Sequence, residues 1–432
     1  MTELEFSSAA SVLVLGAGPA GLAAAAAASE HGLPVTLVDD NPEPGGQIWR
    51  GGQAQWRDER ARALWALLRQ RPNVRLMHGA RVLSAPGPQQ LLLEIEGRPH
   101  RISWQRLVLC SGARELLLPF SGWTLPGVTG AGGLQALIKG GMSVAGKRVV
   151  VAGSGPLLLA VAETVRRHRG IVVTIAEHRP LPGLAAFFAQ LALRHRGKLW
   201  QALGLFLQLA GTRYRTGATV VAASGEQRLR SVTLRQGWRE TELECDFLAC
   251  GYGLVPNLEM ATLLGCETDQ GKVRVNSAQL SSRDSVWAAG EATGIGGVDK
   301  ALAEGHVAGL AAGGQAAAAS ALAARDHALH FAGLLARRFG PTPALRALCG
   351  QDTVVCRCED VLARQLAGHR DWRAAKVLTR VGMGPCQGRV CGAACQFLYG
   401  WQAPGLRLPV FPAAASILAA DDGAAFIKDL TS

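Results

Sequence analysis

Val12-Leu13-Val14-Leu15-Gly16-Ala17-Gly18-Pro19-Ala20-Gly21 is an unbroken apolar run that empties into a glycine turn. Four consecutive branched residues mark a parallel strand buried on both faces. Gly16 permits the tight turn, Gly18 lets the backbone approach a pyrophosphate, and Gly21 lets the following helix pack close to the strand. Pro19 and Ala20 complete the turn into that helix, whose free N–H groups and dipole suit phosphate. An alanine-rich helix over Leu22 to Glu30 follows, then a second buried strand, Val35 to Val38, ending on Asp39 and Asp40. Asp39 is placed to bind both ribose hydroxyls. Strand, glycines, helix, strand and carboxylate in this order make a dinucleotide-binding βαβ unit, where a lone glycine motif is weak.

The pattern restarts at Lys147. Val149 to Ala152 reads as a strand, Gly153-Ser154-Gly155-Pro156 as the turn, Leu157 to Arg167 as a helix, and Val172 to Ile175 as a strand leading to Glu177. Leu158 stands where a small residue is expected, so its side chain should push the helix off the strand or fill the phosphate space. Gly153, Gly155 and Glu177 therefore leave three readings open: NAD(H), another nucleotide, or an empty structural fold. Further strands are expected near Val74, at Leu91 to Ile95, Leu107 to Cys110, Cys245 to Cys250 and Val286 to Ala289. Helices are expected over Arg60 to Arg69 and Asp299 to Ala317, the latter continuing through the Ala/Gly-rich stretch 308–325. The apolar stretch Leu199 to Ala210 reads as core or interface. The fold class is α/β, with two Rossmann-like dinucleotide-binding domains and a C-terminal helical cysteine domain. The expected boundaries are 1–115, 116–250, 251–345 and 346–432, the last including a tail with Pro404, Pro409 and Pro412.

That last domain carries Cys356-x-Cys358 and Cys386-x4-Cys391, with Cys395 beyond as a spare. Thiolates at short spacing on both sides of a helical stretch, here Glu359 to Leu366 and Arg373 to Thr379, form a soft four-sulfur cage. Such a cage takes an iron–sulfur cluster; zinc and free thiols are the alternatives. Gly382, Gly384, Pro385 and Gly388 let a loop wrap the sulfurs and offer N–H donors. Cys110, Cys245, Cys250 and Cys266 stand alone and read as small core residues. No cysteine follows Gly46, where the chain reads Gln47-Ile48-Trp49-Arg50, so disulfide reduction is not expected.

Composition sets the outer limits. A chain of 432 residues with 48% hydrophobic content builds several cores. The net charge of +12 is scattered arginine without interleaved aromatics. Nucleic acid is therefore not an expected partner, whereas an acidic protein or an anionic membrane surface is compatible. The opening MTELEFSSAA lacks a basic region ahead of an apolar one, and no apolar run nears the ~20 residues that span a bilayer. The expectation is cytoplasmic, with peripheral contact at the inner membrane left open, and in a reducing compartment cysteines ligate metal rather than pair.

Pro44-Gly45-Gly46-Gln47, Ser111-Gly112-Ala113-Arg114 and Ala288-Ala289-Gly290-Glu291 together resemble the two-dinucleotide-domain flavoproteins, which include glutathione and thioredoxin reductases. The resemblance implies FAD, with Gly46 and Gln47 along the flavin and Gly112 near the pyrophosphate. It also implies the backbone of Val82 at the adenine and Glu291, where the family has Asp, at a ribityl hydroxyl. The cysteine region resembles the bacterioferritin-associated-ferredoxin type of [2Fe–2S] module, implying Cys356, Cys358, Cys386 and Cys391 as ligands, although that module has C-x2-C for its second pair. Cys250-Gly-Tyr-Gly-Leu-Val-Pro-Asn257, Gly382-Met-Gly-Pro-Cys-Gln-Gly-Arg-Val-Cys391 and Gly112-Ala-Arg-Glu115 resemble the larger FAD-carrying component of multi-subunit, dye-linked amino-acid dehydrogenases. This group spans D-hydroxyproline and proline dehydrogenase alpha subunits, the corresponding opine oxidase subunit, and the middle subunit of hydrogen cyanide synthase. It implies an amine-oxidase-like beta subunit that oxidises the substrate, often with a small ferredoxin-like subunit. This chain would then relay electrons and hold no catalytic residue. The rivals are a self-sufficient NADH-dependent oxidoreductase and a non-catalytic scaffold.

Overall fold

The computed structural model describes residues 9–402, 405–419 and 425–426. The opening residues 1–8 and Pro404 of the tail lie outside the described residues. The chain forms two compact units, each assembled from separate segments. The first takes the residues up to Arg114, then Pro256–Gly333 and the segment from Leu406; the second takes Glu115–Val255 and Leu334–Gly405.

In the first unit the strands Val74–Met77, Val35–Val38, Ala9–Leu15 and Arg98–Leu109 lie side by side in parallel. Val12, Leu13 and Val14 are wholly buried, as a strand covered on both faces requires. The long strand Arg98–Leu109 serves two sets of partners. Its first half pairs antiparallel with Gln90–Ile95, and its second half takes Val286–Ala288 in parallel. Leu15, Val38, Leu109 and Ala288 therefore end at one edge, the carboxyl edge where α/β folds bind ligands. Helix Pro19–Ala28 is buried at all ten positions, which its alanines allow. It packs on helix Gly297–Ala312 so closely that a Cβ on Gly305 would fall 2.1 Å from the Ala20 carbonyl oxygen. One on Gly309 would fall 2.2 Å from that of Ala24.

The second unit repeats the plan with Tyr214–Thr216, Ile171–Glu177, Arg148–Gly153, Phe247–Gly251 and Val128–Gly130, all parallel. An antiparallel meander, Ala218–Ser224, Ser231–Gln236 and Arg239–Glu244, lies between Tyr214–Thr216 and Phe247–Gly251 in the chain. The cysteine region shares this unit. Leu345, Leu348, Val390, Ala393 and Phe397 pack against the core of Val150, Leu248, Cys250 and Tyr252. Trp123 Nε1 donates to the Val354 carbonyl at 2.6 Å.

Two expectations need correction. The helix expected to run from Asp299 through 325 stops at Ala312, because Gly313 caps it and Gly314 turns to φ +81°; a new helix, Ala319–Phe339, follows. The helix expected over Glu359 to Leu366 is one turn, Ala363–Leu366, because Val361–Leu362 pairs with Val354–Cys356 instead. The stretch Leu199 to Ala210, expected as core or interface, places Leu209 in the core at 4% exposed and leaves Trp200 71% exposed.

Candidate cofactor sites

At the first glycine turn the glycines differ in what requires them. A Cβ on Gly21 would sit 1.7 Å from the Gly16 carbonyl oxygen, so only glycine closes this turn. Gly18 differs: its φ is −75°, and an added Cβ would meet nothing closer than Gly46 Cα at 3.9 Å. It is glycine without a protein neighbour that demands it, which leaves a ligand as the reason. No side chain caps the helix behind it, so its first-turn N–H groups face an open cradle. The Pro44–Gln47 loop is tied over this turn by the Gly45 N–H, which donates to the Ala17 carbonyl at 2.8 Å. Gln47 is exposed and Gly46 half-buried beside Gly18.

Asp39 is buried and accepts from the backbone N–H of Ala17 and from both the backbone and side-chain nitrogens of Asn41, the latter two at 2.8 Å. It thus ties the turn to the end of the second strand. Asp40 is exposed and accepts from Asn41 Nδ2. Val82 lies in strand Ala80–Ser84 opposite Leu93, at a bulge. Gly112 has open space around it, and its turn is locked from below. Asn257 donates its N–H to the Gly112 carbonyl and its amide to Ser111, and Arg114 grips both Asn257 and Glu259.

Glu291 uses its extra methylene to reach the start of the next helix, accepting from the Gly297 N–H at 2.9 Å. Burial pushes its carboxyl up, and those backbone N–H groups oppose the shift. Below it lies a buried knot that the sequence motifs did not announce. Lys300 and Glu304, both 2% exposed or less, pair at 2.7 Å. Lys300 Nζ also donates to the Gly290 carbonyl and to Thr293 Oγ1, and Glu304 accepts from the Gly290 N–H. The available signal was a Lys and Glu four apart on the face of an otherwise apolar helix.

In the repeat, Leu158 neither displaces its helix nor fills phosphate space. It is fully buried and turns to the sheet, where Gly251 makes room: its Cδ2 lies 3.2 Å from where a Cβ of Gly251 would be. Glu177 is wholly buried and accepts the N–H groups of Gly155 and Arg179, each at 2.8 Å; burial pushes its carboxyl up.

The four cysteines of the last region meet as two pairs. Cys356 and Cys391 share a hydrogen bond, as do Cys358 and Cys386. Cys391 holds the Cys356 thiol down at about 6; burial opposes this, and the backbone N–H groups of Gly382, Glu359 and Cys358 add to it. A Cβ on Gly384 would fall 2.2 Å from Cys358 Cβ, so this loop closes on the sulfurs only as glycine. Among the described residues no group of three or more His, Cys, Asp or Glu side chains already stands in metal-holding geometry. The donor set nonetheless fits a cluster: four soft sulfurs, with N–H groups aimed at them. Cys395 is buried, its thiol pushed up to about 12 by burial. Cys110, Cys245, Cys250 and Cys266 are buried in the cores, with thiols pushed up by burial.

Residues 10–308 match the family model described as pyridine nucleotide-disulphide oxidoreductase. The chain belongs to that family. Among members of this oxidoreductase family, it is 33% identical to hydrogen cyanide synthase subunit HcnB of Pseudomonas protegens, over 89% of this chain and 90% of that one. It is 34% identical to an opine oxidase subunit of Rhizobium meliloti, over 88% of this chain and 90% of that one. The L-proline dehydrogenase structure from P. horikoshii superposes with a TM-score of 0.68 at 19% identity, over 95% of this chain and 79% of that one, a likeness of fold. The family's redox disulfide has no counterpart beside Gly46 and Gln47 in this oxidoreductase.

Proposed function

We propose that this chain is the FAD- and [2Fe–2S]-carrying electron-transfer subunit of a heteromeric dehydrogenase. The complex acts on CH–NH or CH–NH2 donors of the amino-acid or opine class. The convergence of Cys356, Cys358, Cys386 and Cys391, in a chain with an open dinucleotide cradle and no redox disulfide, carries this reading. When bound, FAD supplies the change from paired to single electrons and the cluster supplies one-electron transfer. The chain's own residues hold, orient and shield. Gly16, Gly18 and Gly21, with the helix start at Pro19 and Ala20 and with Gly112, receive the pyrophosphate, Asp39 fixes the adenosine end, and Gly46, Gln47 and Gly290 border the ring system. Among the described residues the buried Lys300–Glu304 pair is engaged with itself, Gly290 and Thr293 rather than poised to take a proton from carbon. Substrate oxidation is therefore assigned to an amine-oxidase-like partner, in keeping with relatives that are named as subunits. A respiratory acceptor and a small ferredoxin-like subunit complete the relay. Among the described residues no helix is long and apolar enough to cross a membrane, so contact with a membrane-bound acceptor is peripheral in this reading.

Co-purified with its partner and mixed anaerobically with proline, hydroxyproline or opine donors, the chain's flavin should bleach. Alone with NADH it should stay oxidised. Bleaching of the isolated chain by NADH at turnover speed would overturn the proposal in favour of a self-sufficient NADH oxidoreductase. A second measurement isolates the cradle. Gly18→Ala strains no backbone and meets no neighbour, so the protein should fold normally. Its FAD affinity should nevertheless fall about tenfold or more, the worth of one lost phosphate contact of ~1.4 kcal/mol. Unchanged affinity, read by flavin fluorescence on dilution, would remove FAD from this cradle.

A further inference from the structure

The second glycine turn copies the first in sequence and departs from it in what lies above it. A dinucleotide needs free space over the second glycine for its pyrophosphate, and groups past the second strand to receive its ribose. Over Gly18 that space is open. Over Gly155 it is filled: a Cβ placed there would lie 3.2, 3.3 and 3.4 Å from Cγ, Cβ and Cδ1 of Phe339. The Phe339 ring is itself held edge-on against Phe187, centroids 4.8 Å apart at 81°, and Phe187 is 3% exposed.

The residues past the acid are taken by the same stretch. His178 bridges Thr219 Oγ1 at 2.7 Å and Thr342 Oγ1 at 2.8 Å, one through each ring nitrogen. The Arg179 guanidinium donates to the Gly340 carbonyl. Glu177 is buried and accepts two backbone N–H groups, as Asp39 does at the first turn, so the difference between the two sites lies in what covers them. Three successive contacts of a nucleotide, over the glycine and then along the second strand's end, are thus each made by Phe339–Thr342. Immediately beyond, Pro343–Leu348 leads into the cysteine region, with Leu345 buried in this unit's core.

We infer that Phe339–Thr342 is a built-in stand-in for a dinucleotide, so that the second fold excludes pyridine nucleotides and seats the cysteine region instead. Phe339 is the residue that sets this specificity. In this reading the strap bars NAD(P)H from the second fold. It stands whether or not the relay reading holds.

ADP-ribose, which carries no redox group, separates the two questions. The holoprotein should give no binding heat with ADP-ribose or NADH up to about 1 mM. Phe339→Ala should open the seat and bind ADP-ribose at least ~10-fold more tightly than the parent. Binding by the parent at micromolar concentration, or no gain in the variant, would overturn the inference. Should Phe339→Ala fail to fold, amide exchange on the parent decides. Residues 153–158 and 339–342 should exchange identically with and without ADP-ribose, and new protection at 153–158 would sink the idea.

Discussion

Cys386→Ser is expected to strip the iron from this protein while leaving its flavin in place. Cys386 is half-exposed and shares a hydrogen bond with Cys358. Serine keeps that size but offers a hard oxygen of high pKa, a poor ligand for iron that prefers thiolate. Bound iron should fall from about two per chain to a small fraction of that, and the sulfur-to-iron absorption near ~400–550 nm should vanish. Flavin absorption should persist, because the FAD cradle is built from the other compact unit. Cys395→Ser is the matched control. Its thiol lies buried one helical turn beyond Cys391 and is pushed up to about 12 by burial, the behaviour of a packing residue. That variant should keep its iron and lose only the ~1–3 kcal/mol of an unsatisfied buried hydroxyl. Iron retained in Cys386→Ser, or lost in Cys395→Ser, would redraw the ligand set; a colourless parent holding one zinc would replace the cluster altogether.

How far the sequence could be read depended on whether the cause was local. The first βαβ unit was legible because strand, glycines and acid each answer to their near neighbours, and Val35–Val38 and helix Leu157–Arg167 fall where the pattern put them. What escaped were partnerships across the chain. Leu158 looked like an obstruction because the room for it is made by Gly251, far along the sequence. Nothing local announced that Glu291 would reach the Gly297 N–H, or that the Phe339 ring would cover the glycine beside Glu177. Apolarity alone did not say which side chains of Leu199 to Ala210 turn to the core, where Leu209 is buried and Trp200 is not.

Lys300→Met tests the buried knot beneath the flavin edge, and a loss of about 3–5 kcal/mol is expected. Removing the ammonium leaves Glu304 nearly solvent-free without its partner and takes a donor from the Gly290 carbonyl and Thr293 Oγ1. The buried partner left behind carries the cost, so the effect should exceed that of any surface ion pair in the chain, worth ~0–1 kcal/mol. Because Gly290 sits at the carboxyl edge, the first unit should release flavin at a lower temperature, read as fluorescence appearing on heating. Glu304→Gln alone should cost comparably, since it leaves the Lys300 ammonium buried beside a neutral amide. Lys300→Met with Glu304→Leu should regain part of the loss, because two apolar side chains remove both charges together. If the double variant is as unstable as the sum of the singles, the two residues do not act as a pair. If Lys300→Met costs under about 1 kcal/mol, the ammonium is not the group that holds Gly290 in place.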